Sequence, residues 1–126
     1  TWLVGQQRYT LDDYSWELPM GGAPLDEEPL AGAKRELQEE TGLSALDWQE
    51  LMCLHTSNSI TDEVGFVYVA TRLSMGMPNT EESEDLEVRK VPLETAVQMV
   101  LDGEITDAIS AAALLRLQLL KTASSP

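Results

Sequence analysis

The segment "RELQEETG", Arg35 to Gly42, decides the reading of this chain. Inside it Glu36, Glu39 and Glu40 recur at i, i+3 and i+4, a spacing that puts all three on one side of an α-helix. Like charges so placed cost a helix roughly a few tenths of a kcal/mol per pair. Something must compensate for that cost. Two readings fit the spacing: a solvated acidic face with Arg35 as its partner, or a cluster of hard oxygen donors. With no Cys or His beside them, such carboxylates suit Mg²⁺ or Mn²⁺ and not zinc. Leu37 points about 100° away, toward the core, and pins the helix.

The flanks define the helix. Acidic residues stand just ahead of Pro29, which is accepted in a first turn, and Gly42 stands where a C-terminal cap belongs. Leu30, Ala33 and Leu37 form the apolar side. The loop before it, "MGGAPLDEEP", has glycines and prolines and no periodicity.

Counting outward from the acidic helix gives a longer pattern. Gly21 is followed by five residues and Glu27; seven more lead to Arg35-Glu36-Leu37, then Glu39-Glu40, then Gly42-Leu43. This resembles the Nudix box, with all nine fixed positions met within 23 residues. From average residue usage such a match arises by chance on the order of once in a billion starting positions.

The resemblance implies an α/β/α sandwich with a central mixed sheet and a loop–helix–loop carrying the box. It also implies divalent-metal-assisted hydrolysis of a nucleoside diphosphate linked to another group. By position, Glu36 and Glu40 are the implied principal metal ligands, with Glu39 a third, directly or through water. The Met20 carbonyl completes the shell, and Gly21 and Gly22 let the backbone approach closely. Glu27 and Arg35 form a structural ion pair. Attack on an anionic phosphorus needs cations that neutralise phosphate oxygens and lower the pKa of water.

Upstream "GQQRY" and "SWELPMGG" resemble the ADP-ribose pyrophosphatase branch of that family, as does the region from "EESEDLEVRK" onward. In that branch a loop glutamate before the penultimate strand supplies the base or helps to bind metal. The matching positions are Glu82, the first choice for base, and Glu84; the competing reading is a solvated loop with five acids in residues 81–87. Such a loop would close over substrate. Arg8 is a candidate contact to phosphate or ribose, and Glu17 and Glu63 are candidate substrate contacts. The loop "SNSITDE" departs from the branch in lacking its usual proline. That departure falls on substrate choice and not on the hydrolytic machinery. The implied substrate is ADP-ribose or a related nucleotide sugar, cut to AMP and a sugar phosphate. The alternatives are a nucleoside-triphosphate pyrophosphatase or a nucleotide-sensing module without catalysis.

The totals are consistent with a single domain over residues 1–126. The chain has 8 basic against 22 acidic side chains, a net charge of −14, which excludes nucleic acids and anionic membranes as partners. The lone Cys53 can form no internal disulfide, which points to a reducing, cytoplasmic setting, and its apolar run "LMCL" reads as buried. His55 reads as structural.

Elsewhere the pattern predicts strands over 2–9, 16–18, 46–56, 64–73 and 86–91, with "DDYS" as a turn. Helices follow from Pro92 to Asp102 and over "TDAISAAALLRLQLLK", capped by Thr106 or Asp107. Residues 122–126 form a frayed tail. Trp16 is expected to pack in the core, with adenine stacking by Trp16 or Tyr14 the competing role. Members of the branch carry more strand structure ahead of the box than the 20 residues found here. A shortened, open N-terminal edge is therefore expected to pair in a homodimer.

Overall fold

The computed structural model describes residues 1–8, 13–21, 26–57, 59–60, 62–76 and 87–123, the side chains of 6–8, 13 and 14 excepted. Among these residues the order is β1 (Trp2–Arg8), β2 (Asp13–Glu17), α1 (Pro29–Thr41), β3 (Leu43–His55), β4 (Val64–Met75), β5 (Glu87–Lys90), α2 (Leu93–Leu101) and α3 (Ala108–Ala123). The architecture is mixed α/β. Its strands form two antiparallel groups among the described residues: a three-stranded sheet, β2-β1-β5, and the long hairpin β3-β4.

β1 is the central strand of its sheet, between β2 and β5, and successive residues on it are buried on both faces. Leu3 is fully buried and its neighbour Val4 nearly so, where simple alternation would bury one and expose the other. The ladder continues past the strand: the Thr1 ammonium donates to the Val91 carbonyl at 2.7 Å, and Val91 N–H donates to Thr1 O at 2.8 Å. The N-terminal strand is therefore central, and the edge on which the expected homodimer rested is already filled by β5.

The "DDYS" stretch, expected as a turn, enters β2 from Asp13 onward. Pairing of Arg8 with Asp13 through Val4 with Glu17 overrides local turn preference, as tertiary context often does. The hairpin also begins earlier than expected. At the end of α1, Gly42 adopts φ 79° and its N–H donates to Gln38 O at 2.8 Å, the left-handed cap that glycine supplies without strain. Thr41 Oγ1 donates to Leu37 O at 2.6 Å and accepts from Leu43 N–H at 3.1 Å. The chain passes from helix to strand with no loop between.

The main core joins Leu3 to Val91, Ala96, Met99, Ile105 and Leu114, with Trp16 and Leu18 packed against it. It thus ties the β1 sheet to α2 and α3. Helix α1 instead packs on β3 and β4. That narrow hairpin leaves Leu30, Ala33 and Leu37 only half-buried, while Gly32 and Thr41 are the buried residues of α1. Helix α3 opens on Asp107, whose Oδ2 accepts Ser110 N–H at 2.9 Å, the cap expected from sequence. Among the described residues, no helix is long and apolar enough to cross a membrane.

Candidate active site

The box segment is assembled around Arg35. Its planar guanidinium grips Glu27 through two bonds, Nε to Oε2 at 3.2 Å and Nη2 to Oε1 at 3.0 Å. A third nitrogen, Nη1, donates to Glu36 Oε1 at 3.0 Å and to Glu39 Oε2 at 3.1 Å. The expected Glu27–Arg35 pair is present, and the link to Glu36 and Glu39 is an addition. The i,i+4 spacing of Arg35 and Glu39 could have signalled it. Arginine is suited to this position because its rigid fork engages several carboxylates at once. The hydrogen bond from Arg35 holds the Glu27 carboxyl below the usual glutamate range, and the same contact raises the already high pKa of Arg35.

The remaining carboxylate faces another element. Glu40 Oε2 accepts the Met20 N–H at 3.2 Å, joining α1 to the segment that leaves β2. One residue on, a Cβ built at Gly21 would collide with the carboxyl group of Glu36. The glycine is therefore a seat for that carboxylate. Glu36 and Glu39 are largely shielded, with side chains 15% and 18% exposed. A shielded carboxylate needs a cation or donors to offset its lost hydration, and here Arg35 provides them for both.

In kind, the donors on this side of the helix are those a hard divalent cation takes, carboxylate oxygens beside a backbone segment: Glu40 lies against Met20, and Glu36 fills the space that the missing side chain of Gly21 leaves. Among the described residues, no three acidic, His or Cys side chains are gathered around one point. Glu36 and Glu39 are turned to Arg35, and Glu40 to Met20.

Other expected residues lie elsewhere. Glu17 ends β2 opposite Val4 and is half-buried. Arg8 ends β1 opposite Asp13, with its side chain outside the described residues. Glu63 is exposed just ahead of β4. Glu82, Glu84 and Gly22 lie outside the described residues. Trp16 packs against the core with Arg89 over its ring at 5.7 Å; the side chain of Tyr14 is not described. Cys53 is exposed, not buried as its apolar run suggested. It stands opposite Phe66, also exposed, on the outward side of the hairpin. His55, opposite Val64, is exposed as well.

A residue that sequence reasoning passed over is Ser110. It is fully buried, and its Oγ accepts Leu18 N–H at 2.9 Å. Its partner lies 92 positions away, so no local pattern could disclose it.

A profile of the NUDIX domain matches residues 2–114. The chain belongs to the NUDIX family. Within it, this Nudix chain is 38% identical over 123 residues to an ADP-ribose pyrophosphatase of Mycobacterium tuberculosis, covering 95% of this chain and 59% of that protein. It is also 38% identical over 119 residues to an ADP-ribose pyrophosphatase of Bacillus subtilis, covering 93% and 64%. The chain therefore spans about three-fifths of the length of these two curated relatives. Among solved structures, the crystal structure of an ADP compounds hydrolase superposes with a TM-score of 0.84 at 24% identity. That match covers 98% of this chain and 67% of the other, and it shows the Nudix fold.

Proposed function

We propose that this Nudix chain hydrolyses the pyrophosphate bond of a nucleoside diphosphate derivative, ADP-ribose or a related nucleotide sugar, to AMP and a sugar phosphate. The observation that carries this reading is the seating of Glu36 and Glu40 against Met20 and Gly21 inside a complete box. The two relatives called ADP-ribose pyrophosphatases support the choice of substrate.

Glu36 and Glu40 would hold the divalent cation, Mg²⁺ or Mn²⁺, with Glu39 and the Met20 carbonyl as further donors. When bound, such an ion neutralises phosphate oxygens and lowers the pKa of water. The protein's own part is to aim carboxylates at that point and to keep them there. Arg35 balances Glu36 and Glu39 until they are engaged, and Glu27 anchors Arg35 throughout by its other two nitrogens. Glu82, or Glu84 beside it, takes the proton of the attacking water. The water oxygen bonds to one phosphorus, and the bridging oxygen leaves on the other. Arg8, Glu17 and Glu63 are assigned to substrate binding.

Two further parts of this reading concern setting. An exposed, unpaired Cys53 suits a reducing, cytoplasmic compartment. A second copy would dock on the exposed apolar residues of the hairpin, such as Leu46, Phe66 and Met75, and sedimentation at micromolar concentration tests that pairing.

The test is a panel of nucleoside diphosphate sugars, dinucleotides and nucleoside triphosphates with Mg²⁺ and with Mn²⁺. Conversion of ADP-ribose to AMP and ribose phosphate is the expected result. Preferential release of pyrophosphate from a triphosphate, or no turnover of any compound, would overturn it.

A further inference from the structure

Ser110 is fully buried and its hydroxyl is used twice. Oγ donates to Asp107 Oδ2 at 2.9 Å and accepts from Leu18 N–H at 2.9 Å. The Asp107 carboxylate also accepts Ser110 N–H at 2.9 Å. It therefore fixes both the helix turn and the direction of the hydroxyl proton. With that proton committed, the Ser110 lone pairs face the backbone of Leu18.

Leu18 begins the four residues that reach the carboxylate site. Met20 N–H, two positions on, donates to Glu40 at 3.2 Å, and Gly21 seats the Glu36 carboxyl group. The segment is thus pinned at one end by α3 and at the other by α1. Ser110 is fully buried in the folded chain. Without that hydroxyl, Leu18 N–H loses its acceptor, and a donor so left stays unsatisfied or draws the backbone elsewhere.

We infer that Ser110 is a positioning residue for the carboxylate site, holding residues 18–21 so that Met20 and Gly21 meet Glu40 and Glu36. This rests on the proposed reading of that site as a divalent-cation site. Ser110 itself touches neither substrate nor ion. Its effect passes through the backbone of Leu18. A simple helix-cap role would lower stability and leave the distant carboxylates unaffected.

The test uses the full chain with Mn²⁺ alone as probe, the free ion being counted by electron paramagnetic resonance. Ser110→Ala is expected to raise the Mn²⁺ Kd about 10- to 100-fold, as loss of supporting contacts around metal ligands does. Ser110→Thr keeps the hydroxyl and is expected to recover most of the affinity. Ala113→Gly, which loosens the same helix and keeps the Ser110 hydroxyl that Leu18 N–H donates to, lowers Tm and is expected to leave Kd within twofold. Should Ser110→Ala fold poorly, Ser110→Cys, close in volume and a much weaker acceptor, carries the same expected rise. If Ser110→Ala binds Mn²⁺ like the wild type while Glu36→Gln loses binding, the positioning role is overturned and the cation site stands. A wild-type chain that binds no Mn²⁺ overturns both.

Discussion

Arg35 and Glu27 are joined by two roughly parallel hydrogen bonds, from Nε at 3.2 Å and from Nη2 at 3.0 Å. The pair leaves Nη1 aimed at Glu36 and Glu39. One guanidinium therefore fastens the loop before α1 and offsets the mutual repulsion of the glutamates on it. Of the two readings of the acidic helix left open by spacing alone, the arginine partner of the first is present, but Glu36 and Glu39 are shielded and not solvated; the second, a cluster of metal donors, is our proposal.

Arg35→Lys keeps the positive charge and loses the fork. A lysine ammonium is a point charge and cannot hold Glu27 bidentately while reaching Glu36 and Glu39. Divalent-cation affinity and turnover are both expected to fall about 10- to 100-fold, measured by Mn²⁺ titration and by hydrolysis of ADP-ribose. Unchanged values for both would remove Arg35 from the support of the site.

Glu27 sets an acid-side dependence of stability. Its carboxyl is held below the usual glutamate range, first by the hydrogen bond from Arg35. The unfolded chain then binds protons at that residue more readily than the folded one, so stability rises with pH through this range. The contribution is complete above the ordinary glutamate pKa of about 4.3 and is lost as pH falls through the lower folded value. Thermal unfolding of Glu27→Gln from neutral to acid pH is expected to show a shallower acid decline than wild type. Parallel curves for the two proteins would contradict the assignment.

Gly21→Ala tests the seat. The added methyl group falls on the Glu36 carboxyl, the far end of a flexible side chain, so the fold adjusts by moving that carboxylate. Turnover is expected to drop about 100-fold, the scale on which a displacement of about 1 Å acts in an active site. Tm should move by only a few degrees. A variant with full activity would show that Glu36 works from another position.

What the sequence disclosed follows the range of each interaction. The helix, its glycine cap and the Glu27–Arg35 pair were legible because a box of 23 residues contains all of their partners. The Asp107 cap was legible for the same reason. The central place of β1 was not, since it depends on pairing with β5, more than eighty residues away. Cys53 was misread because an apolar run does not say which side of a hairpin faces outward. Ser110 sits among alanines and leucines in its helix, and nothing nearby reveals that its hydroxyl is spoken for by Leu18.

The most direct test of the account is the turnover of Glu36→Gln with ADP-ribose and saturating Mg²⁺, read beside its thermal unfolding. The substitution keeps size and removes the charge that the proposed cation site requires. The account predicts loss of at least about 100-fold in turnover, the scale of removing one preorganised charge-stabilising group, with Tm close to wild type. Near-normal turnover in a folded Glu36→Gln chain would contradict it.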